Sequence, residues 1–324
     1  MAIVLDAMGG DHAPEAVVLG AMEAASDGIE IVLVGQTVEI EKYLKPHPNI
    51  EVVHADEVVT MCDSPAEAFR KKTNSSIAIG LKIAKERQLP FVSAGNTGAC
   101  MAGALFSFGR ISGIKRPPIA SIFPQMGGGH AIVLDVGANV DCDSENLLNF
   151  AVVGAAYARA MFGIEDPAVG LLSNGEEEAK GNSLVLNTHA LLKESALNFI
   201  GNVEGFDVLT GRCDVIVTDG FVGNVLLKTT EGVAMMFGKL IKKGLSGLKE
   251  FPESVQHMIQ SMKIFDPENP EHCGAPLLGI NGYCYIAHGG ASAKVIRGAC
   301  QTSEKLGKSG IVDLISEGLK GVTK

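Results

Sequence analysis

Short apolar runs alternate along this chain with stretches of helical spacing. The runs IVL, IEIVLVG, IEVVHA, FVSAG, PIASIFP, HAIVLDVG, AVGLLSNG, FIGNVEG and CDVIVTDG are rich in Val and Ile. Strands buried on both faces read as continuous apolar segments, so this rhythm predicts a largely parallel sheet with crossover helices. Helices are expected over 14–26, 75–86, 96–108, 145–162 and 183–195. From 221 to 262 the strands stop. Phe237, Leu240, Ile241, Leu245 and Leu248 follow i, i+3, i+4 spacing, and after Pro252 so do Val255, Met258, Ile259 and Met262. Two helices joined by GLSGLKEF would form a hairpin. The fold expected is a doubly wound α/β sandwich. It forms a single continuous unit over 1–324, large enough for two lobes around a cleft, with a helical hairpin over 231–262 projecting from it.

Glycine turns follow three of the strands: MAIVLDAMGGDHAP at the start, FVSAGNTGA over 91–99 and VIVTDGFVGN over 215–224. Pro14 suits the first position of a helix, where its missing N–H is not needed. A strand, a tight turn and a helix N-terminus together present free N–H groups and the positive end of a helix dipole at the carboxyl edge of the sheet. The expectation is a site for phosphate or another oxyanion. No turn matches G-x-G-x-x-G or the P-loop pattern, so ordinary dinucleotide or ATP binding is not supported.

More polar residues stand where strands end. Asn174, Glu176 and Lys180 follow one run, Asn202 and Glu204 another, and Asp219, Asn224 and Lys228 a third. Asn and Lys donors suit a phosphate and a developing oxyanion, although Lys180 among glutamates also reads as a surface ion pair. Asp135, Asp141, Asp143 and Glu145 invite a magnesium site, but Asp143 and Ser144 stand before a long helix, where capping accounts for part of the cluster. A nucleophile system is weakly supported, because no G-x-S-x-G elbow is present. His12 and His288 lie in glycine-flanked loops. Of the cysteines able to carry an acyl group, Cys100 sits in a small-residue helix and reads as a core thiol, and Cys142 is the other candidate.

Composition narrows the classes further. Hydrophobic residues make up 46% and charged residues 20%, as in a globular chain. A net charge of −10 argues against nucleic-acid binding, which needs a broad basic surface. Local basic islands remain at Arg70-Lys71-Lys72, at Arg110 with Lys115-Arg116, and at Lys239, Lys242 and Lys243. The seven scattered cysteines form no C-x-x-C pair and read as reduced thiols. With no signal-peptide pattern and no apolar run of about 18 residues, a cytoplasmic protein that does not span a membrane is expected.

Six blocks, DAMGGDHAP, SAGNTGA, LLSNGEEEAKGN, GNVEG, DGFVGN and PLLGINGYCYIAHGGAS, closely resemble the bacterial phosphate acyltransferases of the PlsX family, in that family's order, from residue 2 to about 320. The resemblance implies a fold like isocitrate dehydrogenase and phosphotransacetylase. It implies transfer of an acyl group from acyl carrier protein to inorganic phosphate, feeding phospholipid synthesis, without cofactor or metal. Carried onto this sequence, it makes Lys180, Asn224 and Asn96 catalytic. Gly9, Gly10, Asp11, Gly95, Thr97 and Asn174 become phosphate- or substrate-binding, as do Asn202, Asp219, Gly223, Lys228 and His288. Lys180 and Lys228 would hold charge, the asparagines would donate, and the glycines would admit close backbone approach. Asp11 and Asp219 would orient the donors. The implied partners are acyl carrier protein, a second copy in a homodimer, membrane lipid at the periphery and a downstream glycerol-phosphate acyltransferase. Acidic carrier protein would dock on Arg70-Lys71-Lys72 or on Arg110 with Lys115-Arg116. The hairpin stems would pair in the dimer, and the tip over 245–251 would touch anionic lipid. The alternatives are a phosphotransacetylase using acyl-coenzyme A, a dehydrogenase of the isocitrate type (whose arginine-rich clamp is missing from the blocks) and a non-catalytic scaffold at the membrane.

Overall fold

Each of the nine apolar runs forms a strand in the computed structural model, which describes residues 1–245 and 273–322. The strands divide between two sheets. The first holds β1 (Ile3–Asp6), β2 (Ile31–Gly35), β3 (Ile50–His54) and β4 (Phe91–Ser93). The second holds β5 (Ala120–Pro124), β6 (His130–Leu134), β7 (Val169–Leu172), β8 (Phe199–Val203) and β9 (Val215–Val217). Two further strands, β10 (Gly274–Leu277) and β11 (Cys284–Ala287), complete the first sheet. Their runs are short and broken by Gly and Pro, so the apolar pattern did not single them out. The strand orders are β10-β11-β4-β1-β2-β3 and β5-β6-β9-β7-β8. Pairing is parallel except at β10 against β11 and β5 against β6. These two antiparallel edge strands meet, through an isolated bridge between Ile119 and Leu277 and a hydrogen bond from Leu278 N to Pro118 O (2.9 Å).

The five expected helices form within one residue of the predicted ends: α1 (Glu15–Ser26), then, after the short α2 (Thr37–Ile40) and α3 (Pro65–Lys71), α4 (Ser76–Arg87), α5 (Thr97–Phe108), α6 (Ser144–Phe162) and α7 (Ser183–Glu194). Side-chain caps fix four of their starts. Ser75, Asn96, Asp143 and Asn182 each accept from the backbone N–H three residues on. Helix α8 (Gly220–Leu245) runs unbroken from the end of β9 and covers the first arm of the expected hairpin. Its second arm, with Leu248, Val255, Met258, Ile259 and Met262, and the tip over 246–251, lie outside the described residues. The sequence reading passed over α9 (Ala293–Lys308) and α10 (Ile311–Val322). Helices α1 and α9 share a core with one face of the first sheet, and α6 and α10 share one with the second. A third cluster joins the sheets: Val4 of β1 and Phe91 of β4 lie in one buried group with Val133 of β6 and Ile216 of β9.

Candidate active site

On the first sheet, the loops after β11, β4 and β1 lie side by side in strand order. Beneath them sits Asp6, only 1% exposed, at the end of β1. Its carboxyl accepts from Ser93 Oγ (2.6 Å) and Met8 N (3.1 Å), while Ser93 Oγ accepts from Gly95 N (3.0 Å). One buried carboxyl therefore ties the β1 turn to the β4 turn, and burial holds its pKa above the ordinary carboxyl value. A methyl group at Gly9 would lie 2.6 Å from Asp6 Oδ2 and 2.7 Å from Gly95 N, so the close approach that Gly9 permits is between these two turns. Asp11 donates its N–H to Gly289 O (2.7 Å), joining Gly10 and Asp11 to the loop that carries His288.

Asn96 caps α5 with Oδ1, and its amide donates to the carbonyls of Thr60 (3.2 Å), Met61 (3.4 Å) and Asp63 (3.2 Å). Its side chain thus clamps a loop to the helix. Lys72, 2.6 Å from Asp63, fixes the same loop and, with Thr60, holds the Asp63 carboxyl down at about 2. The N–H groups of Thr97 and Gly98 find no acceptor among the described residues, which leaves the start of α5 able to face an anion.

On the second sheet, the loops after β6, β9 and β7 are again consecutive. Asp135 is fully buried. Its Oδ1 accepts from the N–H groups of Ile119, Gly137 and Ala138, and its Oδ2 from the backbone and side-chain amides of Asn139. Asn139 O in turn accepts from Gly220 N (2.8 Å) at the start of α8. Asp219 Oδ1 takes the N–H groups of Phe221 and Val222 (both 3.0 Å), and Asp219 O that of Gly223 (2.9 Å). The first turn of α8 is therefore satisfied from within, contrary to the free N–H groups expected there. A methyl at Gly223 would lie 1.9 Å from Asp135 O, so this glycine seats the helix against the β6 loop. Asn224 faces Gly137, and one turn further Lys228 pairs with Glu231 (2.8 Å). Desolvation of the imidazole sets the pKa of His288, an exposed residue, below the ordinary value, and Glu231 and Lys228 act on it electrostatically in opposite senses.

Lys180 and Asn174 lie exposed on the loop after β7. Three contacts clamp it. Asn202, 1% exposed, accepts from His189 Nδ1 (3.0 Å) and donates to Glu177 O (2.9 Å). Arg212 pairs with Glu176 (2.5 Å) and Lys193 with Glu178 (2.7 Å). Lys180 makes no ion pair among the described residues, although the Glu177 carboxylate lies beside its stem at Gly175, and it stands exposed on the braced loop.

The first-sheet turns thus gather Gly9, Gly10, Asp11, Gly95, Asn96, Thr97 and His288. The second-sheet edge gathers Asn174, Lys180, Asp219, Gly223, Asn224 and Lys228. Asn202 is set apart, buried behind the Lys180 loop. Cys100 lies wholly in the core with its thiol pushed up to about 12, and burial raises Cys142 to about 11, so neither is a ready thiolate. Asp143 caps α6 and Glu145 pairs with Lys115 (2.6 Å), which accounts for two of the carboxylates grouped as a magnesium site. The basic islands are partly neutralised: Lys71 pairs with Glu67, Lys72 with Asp63 and Lys115 with Glu145. Sequence reasoning missed the organising pairs Asp6–Ser93 and Asp135–Asn139. It also missed a cleft of about 1020 Å³ between α5 and the β6 loop. A signal for the first two was present, since Ile-Val-Leu-Asp occurs at both 3–6 and 132–135.

Comparison with known proteins places the chain. The family described as "Fatty acid synthesis protein" matches residues 1–314. A phosphate acyltransferase of Halothermothrix orenii is 44% identical over 98% of this chain and 98% of its own length. One of Geotalea uraniireducens is 45% identical over 99% of this chain and 94% of its own. A phosphotransacetylase crystal structure from Streptococcus pyogenes superposes with a TM-score of 0.63 at 18% identity, covering 94% of each chain, which shows a shared fold. With this identity along its whole length and this fold, the chain belongs to the phosphate acyltransferase family, PlsX.

Proposed function

We propose that this enzyme transfers the acyl group of acyl-acyl-carrier-protein to inorganic phosphate. A phosphate oxygen attacks the thioester carbonyl, a C–O bond forms as the C–S bond breaks, and the products are acyl phosphate and the carrier thiolate. Phosphate is largely ionised near neutral pH, with a pKa around 6 by comparison with phosphate esters, so no strong base is required. A thiolate with a pKa near 8.5 leaves without assistance from an acid. The protein has to supply position and charge stabilisation. The observation that carries this reading is the exposed Lys180, without an ion pair among the described residues and held on a loop clamped by Asn202 and Arg212. In this scheme Lys180 and Lys228 hold phosphate charge, Asn174 and Asn224 donate to phosphate or carbonyl oxygen, and the open N–H groups of Thr97 and Gly98 add donors. Asn96, Asn202, Asp219 and Gly223 act as positioning residues, because their polar groups or backbone are committed within the protein. Gly9, Gly10 and Gly95 shape the first-sheet turns, and Asp11 and His288 line their outer side.

The same reading extends to a cytoplasmic homodimer in peripheral contact with membrane lipid, handing its product to a glycerol-phosphate acyltransferase. Val233, Met236, Phe237 and Leu240 of α8 are exposed within one chain, which supports a second copy as their cover. No helix among the described residues is long and apolar enough to cross a membrane. The test mixes protein, phosphate and palmitoyl carrier protein and measures free carrier thiol, with acetyl-coenzyme A as the comparison. Phosphate-dependent release from the carrier substrate alone is expected. Release from acetyl-coenzyme A alone would move the assignment to phosphotransacetylase chemistry, and release from neither would favour a scaffold.

A further inference from the structure

We infer that the cleft beside α5 receives the phosphopantetheine arm of the carrier substrate, with the arm's phosphodiester at Arg110, Lys115 and Arg116. This rests on the carrier-dependent reading above and assigns it a subsite. The cleft, about 1020 Å³, stands at the upper end of the roughly 300–1,000 Å³ typical of ligand pockets. Met101 and Leu105 of α5, four residues apart and so on one face, form an apolar wall with Phe106 and Pro117. Phe106 is 59% exposed, yet its ring is fixed by stacking on Phe69 at 5.9 Å and by Arg70 over its face. Ala138 and Asn139 line the opposite side. They belong to the Asp135-organised loop that also meets the start of α8, which sets this side of the cleft next to the candidate site. Helix α5 starts at Thr97, in that site, and advances about 12 Å over the eight residues to Leu105. A substrate lying along it reaches from the reacting thioester to the rim.

At the rim, Arg110 donates to Lys115 O (2.7 Å), which braces the turn. Lys115 pairs with Glu145, and Arg116 has no carboxylate partner among the described residues. In a chain of net charge −10, this cation group beside an apolar wall calls for an occupant with an anion at one end and amides and methyl groups along its length. The phosphopantetheine arm has that order of groups. A plain acyl tail leaves the cations unanswered.

The test compares carrier protein bearing the arm without an acyl group against carrier lacking the arm. Binding is followed by fluorescence anisotropy at fixed salt. Tighter binding of the arm-bearing carrier, by about tenfold or more, is expected for the unaltered protein. Met101→Trp and Leu105→Trp, made separately and checked by thermal melting, fill the cleft and should bring the arm-bearing carrier down to the affinity of the other. Arg116→Glu should weaken the arm-bearing carrier more. Equal binding of both carriers by the unaltered protein overturns the inference, as does an arm preference that survives both tryptophans. Neither phosphate nor turnover enters this assay, so a failure of acyl transfer and a failure of the subsite are read separately.

Discussion

Gly223→Ala perturbs the seat of α8 with a single methyl group. That methyl would lie 1.9 Å from Asp135 O, whereas ordinary contact begins at 3.4 Å, so helix or loop must move by up to about 1.5 Å. The obstacle is backbone on a loop held by Asp135, and no side chain can swing aside. Forced displacement in a packed interior costs about 1–3 kcal/mol. Stretching the bond from Gly220 N to Asn139 O, now 2.8 Å, adds about 1–3 kcal/mol if that N–H is left buried and unpaired. Better helix propensity returns roughly 0.8–1 kcal/mol. A net loss of a few kcal/mol should lower the melting temperature by several degrees, at about 2–4 °C per kcal/mol. Because Asn224 and Lys228 ride on the same helix, a misplacement near 1 Å should also cost about a hundredfold in phosphate-dependent thiol release. Gly232→Ala is the control, since nothing lies within 4 Å of a methyl there. It should leave activity unchanged and melt no lower than the parent. A Gly223→Ala protein with parental melting and turnover would refute the reasoning, as would a Gly232→Ala protein equally impaired.

Lys180→Ala should lower turnover on the order of a hundredfold or more without changing the melting temperature, as measured by thiol release; near-parental turnover removes Lys180 from the site. Asp135→Ala orphans the N–H groups of Ile119, Gly137, Ala138 and Asn139, at about 1–3 kcal/mol each. Urea unfolding should show a loss above about 3 kcal/mol, and an unchanged midpoint would contradict that role. His288 should titrate below 6.5 by NMR. Its folded pKa lies under the unfolded value, so the unfolded chain binds more protons there. His288 therefore destabilises the fold as pH falls through 6.5, an effect absent above it. A midpoint at or above 6.5 would contradict the desolvation of its ring.

The first nine strands and five helices were legible because burial on both faces and helical spacing leave direct marks on residue order. Helix α9 carried the mark as well, with Val295, Ile296, Ala299, Cys300 and Leu306 buried along one side. Its apolar and polar positions separate more sharply than those of α1, α4 or α5, so nothing in the residues concealed it. The site was legible as residue types and only partly as roles. Glycine after a strand announces a close approach without naming what approaches. At Gly9 it is the neighbouring turn, and at Gly223 the backbone of Asp135. A carboxylate at a strand end announces a concentration of donors, which Asp135 finds in backbone N–H groups rather than in a metal. Asn96 and Asn202 show the same ambiguity. An amide placed to donate serves a loop carbonyl as readily as a substrate, and only the fold decides which is near.

The central claim is that phosphate, and not water, takes the acyl group. Palmitoyl carrier protein incubated with the enzyme and ¹⁸O-labelled phosphate, followed by mass spectrometry of the acyl product, tests it directly. The account predicts palmitoyl phosphate retaining every labelled oxygen of the phosphate, formed in step with free carrier thiol and diminished in Lys180→Ala. Free palmitate beside unreacted labelled phosphate would contradict it.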